Sequence, residues 1–397
     1  MSGRKWGQFS LITWIIATGL ATDDIDALLD GVASRLIEAG YPLIRASIAM
    51  PSIDPKQRGF SVAWYRSSGI SKEIQEHGEE GDALFQRSPI SYLLQNQLEF
   101  VRWALPANAD TPPFPVLMEL SDQGATEFVM KIAPFPGGTA LAGASFSLAT
   151  DQAGGFSESQ IAGFESIMPA MALACCRIAT TRVAKDVLAA YTGERTSELI
   201  LTGQTQRGGG TAIFAAILLA DLKNFTSLNE QYEPNLIVDW LNEHFEAIGR
   251  PVIDEGGEIL KFMGDSLLAI FPAQAGDTRS ACAMALAAAQ GAIRLNEKLN
   301  DRRRARGEPE IPVDIALHLG EIFYGNVGTD RRLDFTVIGR AVNEVARIEK
   351  LADSLECNLL ASALFASQTG NAFRPAGHFK LKGVELPVEI FTWKGEQ

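Results

Sequence analysis

"EILKFMGDSLLAIF", residues 258–271, sets Gly264 and Asp265 between two apolar runs, with Lys261 four residues ahead of the aspartate. Two such runs about a Gly-Asp pair predict strand, tight turn and strand. Charges inside an apolar hairpin are costly unless water, a partner or a ligand offsets them. The stretch therefore predicts a hairpin in a buried sheet, and tasks for Lys261 and Asp265.

The neighbouring segments extend that sheet. "TAIFAAILLADLKNFTSL" (211–228) is a continuous apolar strand ending on Asp221, followed by a polar turn. A helix is expected from Pro234, with Ile237, Leu241, Phe245, Ile248 and Val252 on one face. "DEGG" (254–257) turns the chain into the hairpin. A small-residue helix (280–300), a basic loop "DRRRARGEPE" (301–310) and the strand "VDIALHLGEIFYG" (313–325) follow. The stretch "DFTVIGRAVNEVARIEKLADSL" (334–355) and terminal strands "HFKLKG" and "VEIFTW" complete the domain. The order β-α-β-β-α-β is a ferredoxin-like or palm layout, α+β in class, which by itself assigns no function.

The chemistry lies in the polar exceptions. Asp221 ends one apolar strand and Asp265 tips the neighbouring hairpin, so both carboxylates are expected at one sheet edge. Two carboxylates without a nearby His or Cys suit hard, oxygen-seeking cations such as Mg²⁺ or Mn²⁺. Taken singly, each is also an ordinary turn aspartate. Asn343 and Arg347 lie four apart and so share a helix face, where an amide and a guanidinium can orient a hydroxyl and steady a phosphoryl group. The plainer alternative is a surface helix with Arg347 paired to Glu344. Lys382, before a Gly turn in "KLKGVELP", is placed either to touch phosphate or to stay solvated.

The N-terminal part reads differently. "ATDDIDALLDGVASRLIEAG" (21–40) has a helix start at Thr22, with Asp23 and Asp24 in its first turn. Its apolar face is Ile25, Leu28, Leu29, Val32, Leu36 and Ile37, and Gly40 ends it. Strands are expected at "YPLIRASIAM", "GFSVAWYR", "LEFVRWAL", "TEFVMKIAPF" and "TALAGASFSLAT". "GGFSESQIAGFESIMPAMALACC" (154–176) then opens a helix with a capping box, Ser157 with Gln160. The order of elements, and "FSLATDQAGGFSESQIAGFESI" in particular, resembles the last strand and closing helix of GAF-type sensor domains. Residues 1–175 are thus expected as a GAF-like regulatory domain with an N-terminal helix. Residues 176–205 are expected as a connecting signalling helix, with Ile178, Val183, Val187, Leu188, Tyr191 and Leu199 on its packed face, and 206–397 as the second domain. "QTQRGGG" (204–210) is the flexible break.

Composition narrows the function classes. A net charge of -13 opposes broad nucleic-acid or anionic-membrane binding but leaves room for a small anion held by a few cations. The four cysteines show no CxxC pairing, so reduced thiols in a cytoplasmic protein are expected. His77, His244, His318 and His378 do not cluster, which argues against a haem or metal sensor, and His77 reads as a solvated loop residue. The opening "MSGRKWGQFSLITWIIATGLAT" has the basic-then-apolar look of a signal peptide. Its apolar run is too short to span a bilayer and leads into the next periodic segment, so a packed helix with no membrane span is expected.

Together, "ADLKNFTSL", "EILKFMGDSLLAIF" and "IGRAVNEVARIEK" resemble the three signature segments of class III nucleotidyl cyclases, in the same order and with a matching "KLKG". The resemblance covers roughly residues 205–393. It implies that Asp221 and Asp265 hold two metal ions, Mg²⁺ or Mn²⁺. One would activate the ribose 3′-hydroxyl, and the other would hold the triphosphate and the leaving pyrophosphate. It implies that Asn343 orients the ribose, Arg347 stabilises charge on the α-phosphate and Lys382 binds the outer phosphates. The backbone around Asn224, Phe225 and Thr226 would cradle them. The purine-reading position falls on Lys261, lysine being the adenylate cyclase choice, and its usual partner position falls on Thr336. Threonine there is associated with a bicarbonate-responsive subset, so bicarbonate activation is an expectation to test.

Two positions depart from the family pattern: Asn224 replaces a usual glycine, and Arg340 replaces a frequently acidic residue. The family's sites are shared between chains, and each needed residue occurs here once. The expected assembly is therefore a two-fold homodimer with two ATP sites, controlled through the N-terminal domain by a small molecule the sequence does not name. Two alternatives stand beside adenylate cyclase: a guanylate or diguanylate cyclase, and a catalytically weak cyclase-shaped sensor or dimerisation module.

Overall fold

The computed structural model describes residues 8–52, 57–76, 78–106, 113–136, 141–384 and 386–395, and His77 lies outside them. The chain divides into two compact units, Met1–Val187 and Leu188–Gln397, so the boundary falls inside the segment expected to connect them.

The first unit is built on a six-stranded antiparallel sheet of order β3-β2-β1-β6-β5-β4. Its strands are β1 (Leu43–Pro51), β2 (Gln57–Tyr65), β3 (Gly69–Glu76), β4 (Phe100–Ala104), β5 (Glu127–Pro134) and β6 (Gly143–Thr150). One face is covered by α1 (Gln8–Ala21), α2 (Ile25–Glu38) and α6 (Glu158–Thr192), through Ile15, Leu28, Leu36, Phe164 and Ile167. A second core packs α4 (Pro89–Gln95) and α5 (Pro115–Asp122) on Trp103, Phe128 and Met130, and α3 (Glu79–Gln86) precedes α4. β3 and α3–α5 were not expected; "GISKEIQE" is too polar for a strand signal, which is what an edge position permits.

Local chemistry sets the helix ends. α2 begins two residues later than expected, because Asp24 Oδ1 accepts from the N–H groups of Asp26 (3.0 Å) and Ala27 (3.4 Å), while Thr22 Oγ1 accepts from Asp24 N–H. Ile37, expected on the packed face, is 41% exposed. The capping box forms in both directions, Gln160 N–H to Ser157 Oγ (3.3 Å) and Ser157 N–H to Gln160 Oε1 (2.8 Å). The apolar opening segment is a packed helix: Leu11 and Ile15 enter the core and Arg35 stacks on Trp14 at 3.8 Å. α6 is the one helix among the described residues long and apolar enough to cross a membrane, and Ile161, Met168, Met171 and Ile178 on it are buried in the first core. The four cysteines are free thiols.

The second unit holds the βαββαβ core. Its elements are α7 (Glu194–Leu201), β7 (Gly210–Leu222), α8 (Phe225–Gln231), α9 (Pro234–Asp254), β8 (Glu258–Met263), β9 (Ser266–Pro272), α10 (Thr278–Ala305) and β10 (Val313–Gly328). After them come β11 (Leu333–Ile338), α11 (Arg340–Glu349), β12 (Leu359–Ser362), β13 (Phe373–Phe379) and β14 (Val388–Trp393). The strand order β13-β14-β12-β10-β7-β9-β8, with β11 on β10, contains the antiparallel ferredoxin-like set β10-β7-β9-β8. α9 and α10 close one face around Ile248, Val252, Ala285 and Phe271; α11 lies on the other with Val345 and Ile348.

Two expectations need correction here. The connecting helix is not continuous: α6 ends at Thr192, Gly193 turns with φ +86°, and α7 starts afresh, leaving Tyr191 87% exposed. The basic stretch after 300 is not a loop, since α10 runs to Ala305. Arg303 on it is fully buried, 4.3 Å over the Trp240 ring and 3.4 Å from both Glu243 and Glu308.

Candidate active site

Asp221 and Asp265 meet because β7 and β9 pair in register. Asp221 stands opposite Ser266, and Leu222 N–H reaches the Asp265 carbonyl at 3.3 Å. Gly264 makes the hairpin tip with φ +67°, a conformation that favours glycine. The Ser266 hydroxyl donates to Asp221 Oδ1. Burial first, then the Asp265 and Asp353 charges, hold the Asp221 carboxyl above the usual range, against the pull of Ser266 and Lys350.

Three acids that sequence reasoning missed surround this pair. Asp314 on β10 stands directly across from Asp221, its side chain only 5% exposed and 2.9 Å from the Lys223 ammonium. Lys223 also reaches the exposed Asp353 at 3.1 Å. Glu349, at the end of α11, is pushed up to about 7 by burial and by Asp221 and Asp314. Asp314 is raised as well, by burial, with Lys223 opposing. The signals were available only in three dimensions. Asp314 opens an apolar strand, and Glu349 looks like a solvent-facing helix residue.

Excess negative charge with one directly paired ammonium is what a divalent cation offsets, and carboxylate oxygens are the donors Mg²⁺ and Mn²⁺ select. The residues fit such an ion. Among the described residues, no three His, Cys, Asp or Glu side chains form a closed metal cage, so water or substrate oxygens would complete the coordination.

The other predicted residues form two further groups. Lys261, exposed on β8, is ion-paired with Asp334 of β11 and not with Thr336. Thr336 is half-buried one alternation along the same strand, across from Gly325. Asn343 and Arg347 share α11 as expected. The Asn343 amide donates back to Gly339 at 3.4 Å. The Arg347 guanidinium lies at the Lys382-Gly383 turn, where a Cβ added to Gly383 would stand 3.5 Å from Nη2. The alternative Arg347–Glu344 pair does not form: Glu344 is held by Arg340 (2.5 Å) and by His318 Nε2 (3.3 Å). Arg340, without an expected role, thus anchors Glu344. Lys382 is exposed.

Asn224 adopts the left-handed conformation, φ 59° and ψ 12°, that lets it stand in for glycine. Phe225 is buried, and Thr226 is exposed in the first turn of α8, where backbone N–H groups lack helical acceptors. Among the described residues, no hydrogen bond or ion pair joins the aspartate pair, the Lys261–Asp334 pair and the Arg347–Lys382 group to one another.

α11 is set close to the sheet by Gly320 on β10, where an added Cβ would come 2.6 Å from the Ala341 Cβ. Burial holds the His318 ring below its ordinary value, against Glu344. The ring's Nε2 lies 3.3 Å from Glu344, and its Nδ1 has no hydrogen-bond partner.

Residues 213–395 match the family model described as the adenylate and guanylate cyclase catalytic domain. The chain is 31% identical over 221 residues to "Adenylate cyclase 1" of Rhizobium meliloti (strain 1021), covering 53% of this chain and 33% of that protein. It is 36% identical over 144 residues to "Adenylate cyclase" of Anabaena cylindrica, covering 36% and 28% respectively. The chain thus spans about a third of the length of the curated relatives it matches. Among solved structures, the guanylyl cyclase Cya2 aligns at 27% identity with a TM-score of 0.42, over 47% of this chain and 95% of that one.

Proposed function

We propose that this chain, whose residues 213–395 form a class III adenylate/guanylate cyclase catalytic domain, converts ATP to 3′,5′-cyclic AMP and pyrophosphate. In the reaction the ribose 3′-hydroxyl loses its proton and bonds to the α-phosphorus. The bond from the α-phosphorus to the bridging oxygen breaks, and pyrophosphate leaves.

The observation that carries the choice of ATP is Lys261, a donor-only ammonium at the base-reading position, steadied by Asp334. It donates to adenine N1, whereas the N1–H of guanine would meet donor with donor. The Thr336 hydroxyl, on the same strand as Asp334, accepts from the adenine amino group. Asp221 and Asp265 hold Mg²⁺ or Mn²⁺, two ions per site, which when bound supply Lewis-acid polarisation of the phosphate oxygens and of the attacking hydroxyl. Asn343 orients the ribose. Arg347 stabilises charge on the α-phosphate, and Lys382 beside it binds the outer phosphates with the backbone of Asn224, Phe225 and Thr226.

That no hydrogen bond or ion pair joins the three groups within one chain supports a two-fold homodimer in which each site takes its aspartates from one protomer and its lysine, asparagine and arginine from the other. The free thiols accord with a cytoplasmic setting. Incubating the purified chain with Mn²⁺ and either ATP or GTP, and identifying the product by mass spectrometry, tests the reading. Cyclic AMP as the dominant product is expected. Cyclic GMP in excess, or no cyclic product from either nucleotide, overturns it.

A further inference from the structure

The first unit carries a polar cluster in the middle of its sheet, on the face opposite α1, α2 and α6. Ala46 and Ile48 of β1 point into the first core, so Arg45 and Ser47 point the other way. β1 pairs Ser47 with Ser147 of β6, and Arg45 with Tyr65 of β2. Ser47 and Ser147 are 8% and 1% exposed.

The Arg45 guanidinium lies among these hydroxyls. Its Nη1 donates to Ser47 Oγ (3.1 Å) and Ser147 Oγ (3.0 Å), and its Nε donates to Tyr65 Oη (3.2 Å). The two serine oxygens are 2.6 Å apart and share one hydrogen. Other arginines of the unit meet carboxylates: Arg66 with Asp151, Arg102 with Glu127 and Glu158, Arg177 with Asp23. Among the described residues Arg45 has no such partner.

A proton inventory shows what the cluster lacks. The guanidinium has spent its Nε hydrogen and both on Nη1, and both on Nη2 remain. Tyr65 accepts from Arg45 and keeps its own hydroxyl hydrogen, and one serine hydrogen is also unspent. The unspent hydrogens lie on Nη2, on Tyr65 and on one serine, and none of the four residues offers a charged acceptor. The partly buried guanidinium also lies 5.6 Å from the centre of the Tyr65 ring, so its charge meets hydroxyls and a ring face but no counter-charge. In a chain of net charge -13 this is the opposite of what general electrostatics would place there. An oxyanion satisfies all of it, since Arg takes carboxylate and phosphate groups by paired hydrogen bonds and hydroxyls add to the cradle.

We propose that Arg45, Ser47, Ser147 and Tyr65 form an oxyanion-binding site in the first unit, which takes the carboxylate or phosphate group of a small molecule. The site is independent of the cyclase reading and concerns what the N-terminal region binds.

The test is isothermal titration of the full chain carrying Lys382→Ala, so that the catalytic phosphate contacts are weakened. Inorganic phosphate is titrated in one arm and succinate in the other, at constant ionic strength against chloride. Saturable heat in at least one arm is expected, and the arm that gives it identifies the anion class. Arg45→Gln is expected to weaken that binding by roughly tenfold or more, and Ser147→Ala or Tyr65→Phe by roughly three- to tenfold. Arg66→Gln, whose arginine already has Asp151, should leave it unchanged. No saturable heat in either arm, or binding indifferent to Arg45→Gln, overturns the proposal. Should Arg45→Gln fail to fold by circular dichroism, Tyr65→Phe and Ser147→Ala decide it, and unchanged binding in both overturns it equally.

Discussion

Lys261 on β8 and Asp334 on β11 are ion-paired although their strands share no ladder, β8 pairing with β9 and β11 with β10. Both side chains are about half exposed, 43% and 55%, so the pair adds little stability, on the order of 0.5 kcal/mol. Its effect is to fix the direction of the ammonium. Lys261→Ala should lower kcat/KM for ATP by roughly 100-fold, and Asp334→Asn by roughly tenfold, with melting temperatures nearly unchanged. Initial rates across ATP concentrations check this. Equal rates in Asp334→Asn and the parent would show that Lys261 needs no anchor.

Asp221 should show opposite effects on stability and on activity. Its carboxyl is held above the usual range by burial and by Asp265, so at neutral pH its ionised form works against folding. The sign is that of a raised carboxylate: the cost is absent at low pH and complete above the folded-state value. Asp221→Asn should therefore melt higher than the parent without metal, lose the rise in melting temperature that Mn²⁺ gives the parent, and lose roughly 1000-fold in turnover. A variant that melts lower without metal, or that Mn²⁺ still stabilises to the parental extent, contradicts the assigned role.

How much of this was legible in sequence differs by element. The hairpin at Gly264-Asp265, the strand ending at Asp221 and α11 were readable, because unbroken apolar runs and a strong 3.6-residue pattern survive in one dimension. The acids around Asp221 were not. Asp314 and Asp221 are 93 positions apart and meet only through the β7–β10 register. Arg303 was misplaced for a related reason. Three successive arginines look like a solvated loop, yet one of them turns inward onto Trp240, and only the helical continuation of α10 shows which. Gly320 carried no signal at all, being one small residue in a strand whose importance is its distance to Ala341.

That distance yields a prediction. Gly320→Ala forces α11 away from β10, since the added Cβ would lie 2.6 Å from the Ala341 Cβ and 3.2 Å from His318 Nε2. Overpacking of this kind costs about 1–3 kcal/mol. The displaced helix carries Asn343 and Arg347, so kcat should fall by about 100-fold with KM for ATP changed far less. The double change Gly320→Ala with Ala341→Gly restores the space and should recover most of the activity. No recovery would place the defect elsewhere.

His244 sets an acid limit on the second unit. The ring is fully buried, its Nδ1 is 2.6 Å from Asn296 Oδ1, and its Nε2 has no partner. Burial pushes its pKa down to about 4. For a depressed value the stability is present above the unfolded-state pKa of 6.5 and is lost as pH falls through about 4. Between about pH 7.5 and about pH 5 the second unit should lose about 2 kcal/mol from this group. Urea unfolding at both pH values measures it, and His244→Gln should be less stable at neutral pH but nearly free of this slope. A parental slope in the variant would assign the acid sensitivity to other groups.

Paired substitutions at Asp265 and Arg347 test the assembly itself. If each site takes its aspartates from one protomer and its arginine from the other, Asp265→Ala and Arg347→Ala homodimers are both inactive. In a mixed dimer one site then carries both lesions and the other carries neither. Equal mixing with free exchange makes half the dimers mixed, each with one intact site of two, so about one quarter of parental turnover should return. At constant total chain the recovered rate should follow the product of the two variants' mole fractions and peak at equal mixing. Zero recovery despite demonstrated exchange means that a single chain closes its own site, and the proposed sharing of residues between protomers is then wrong.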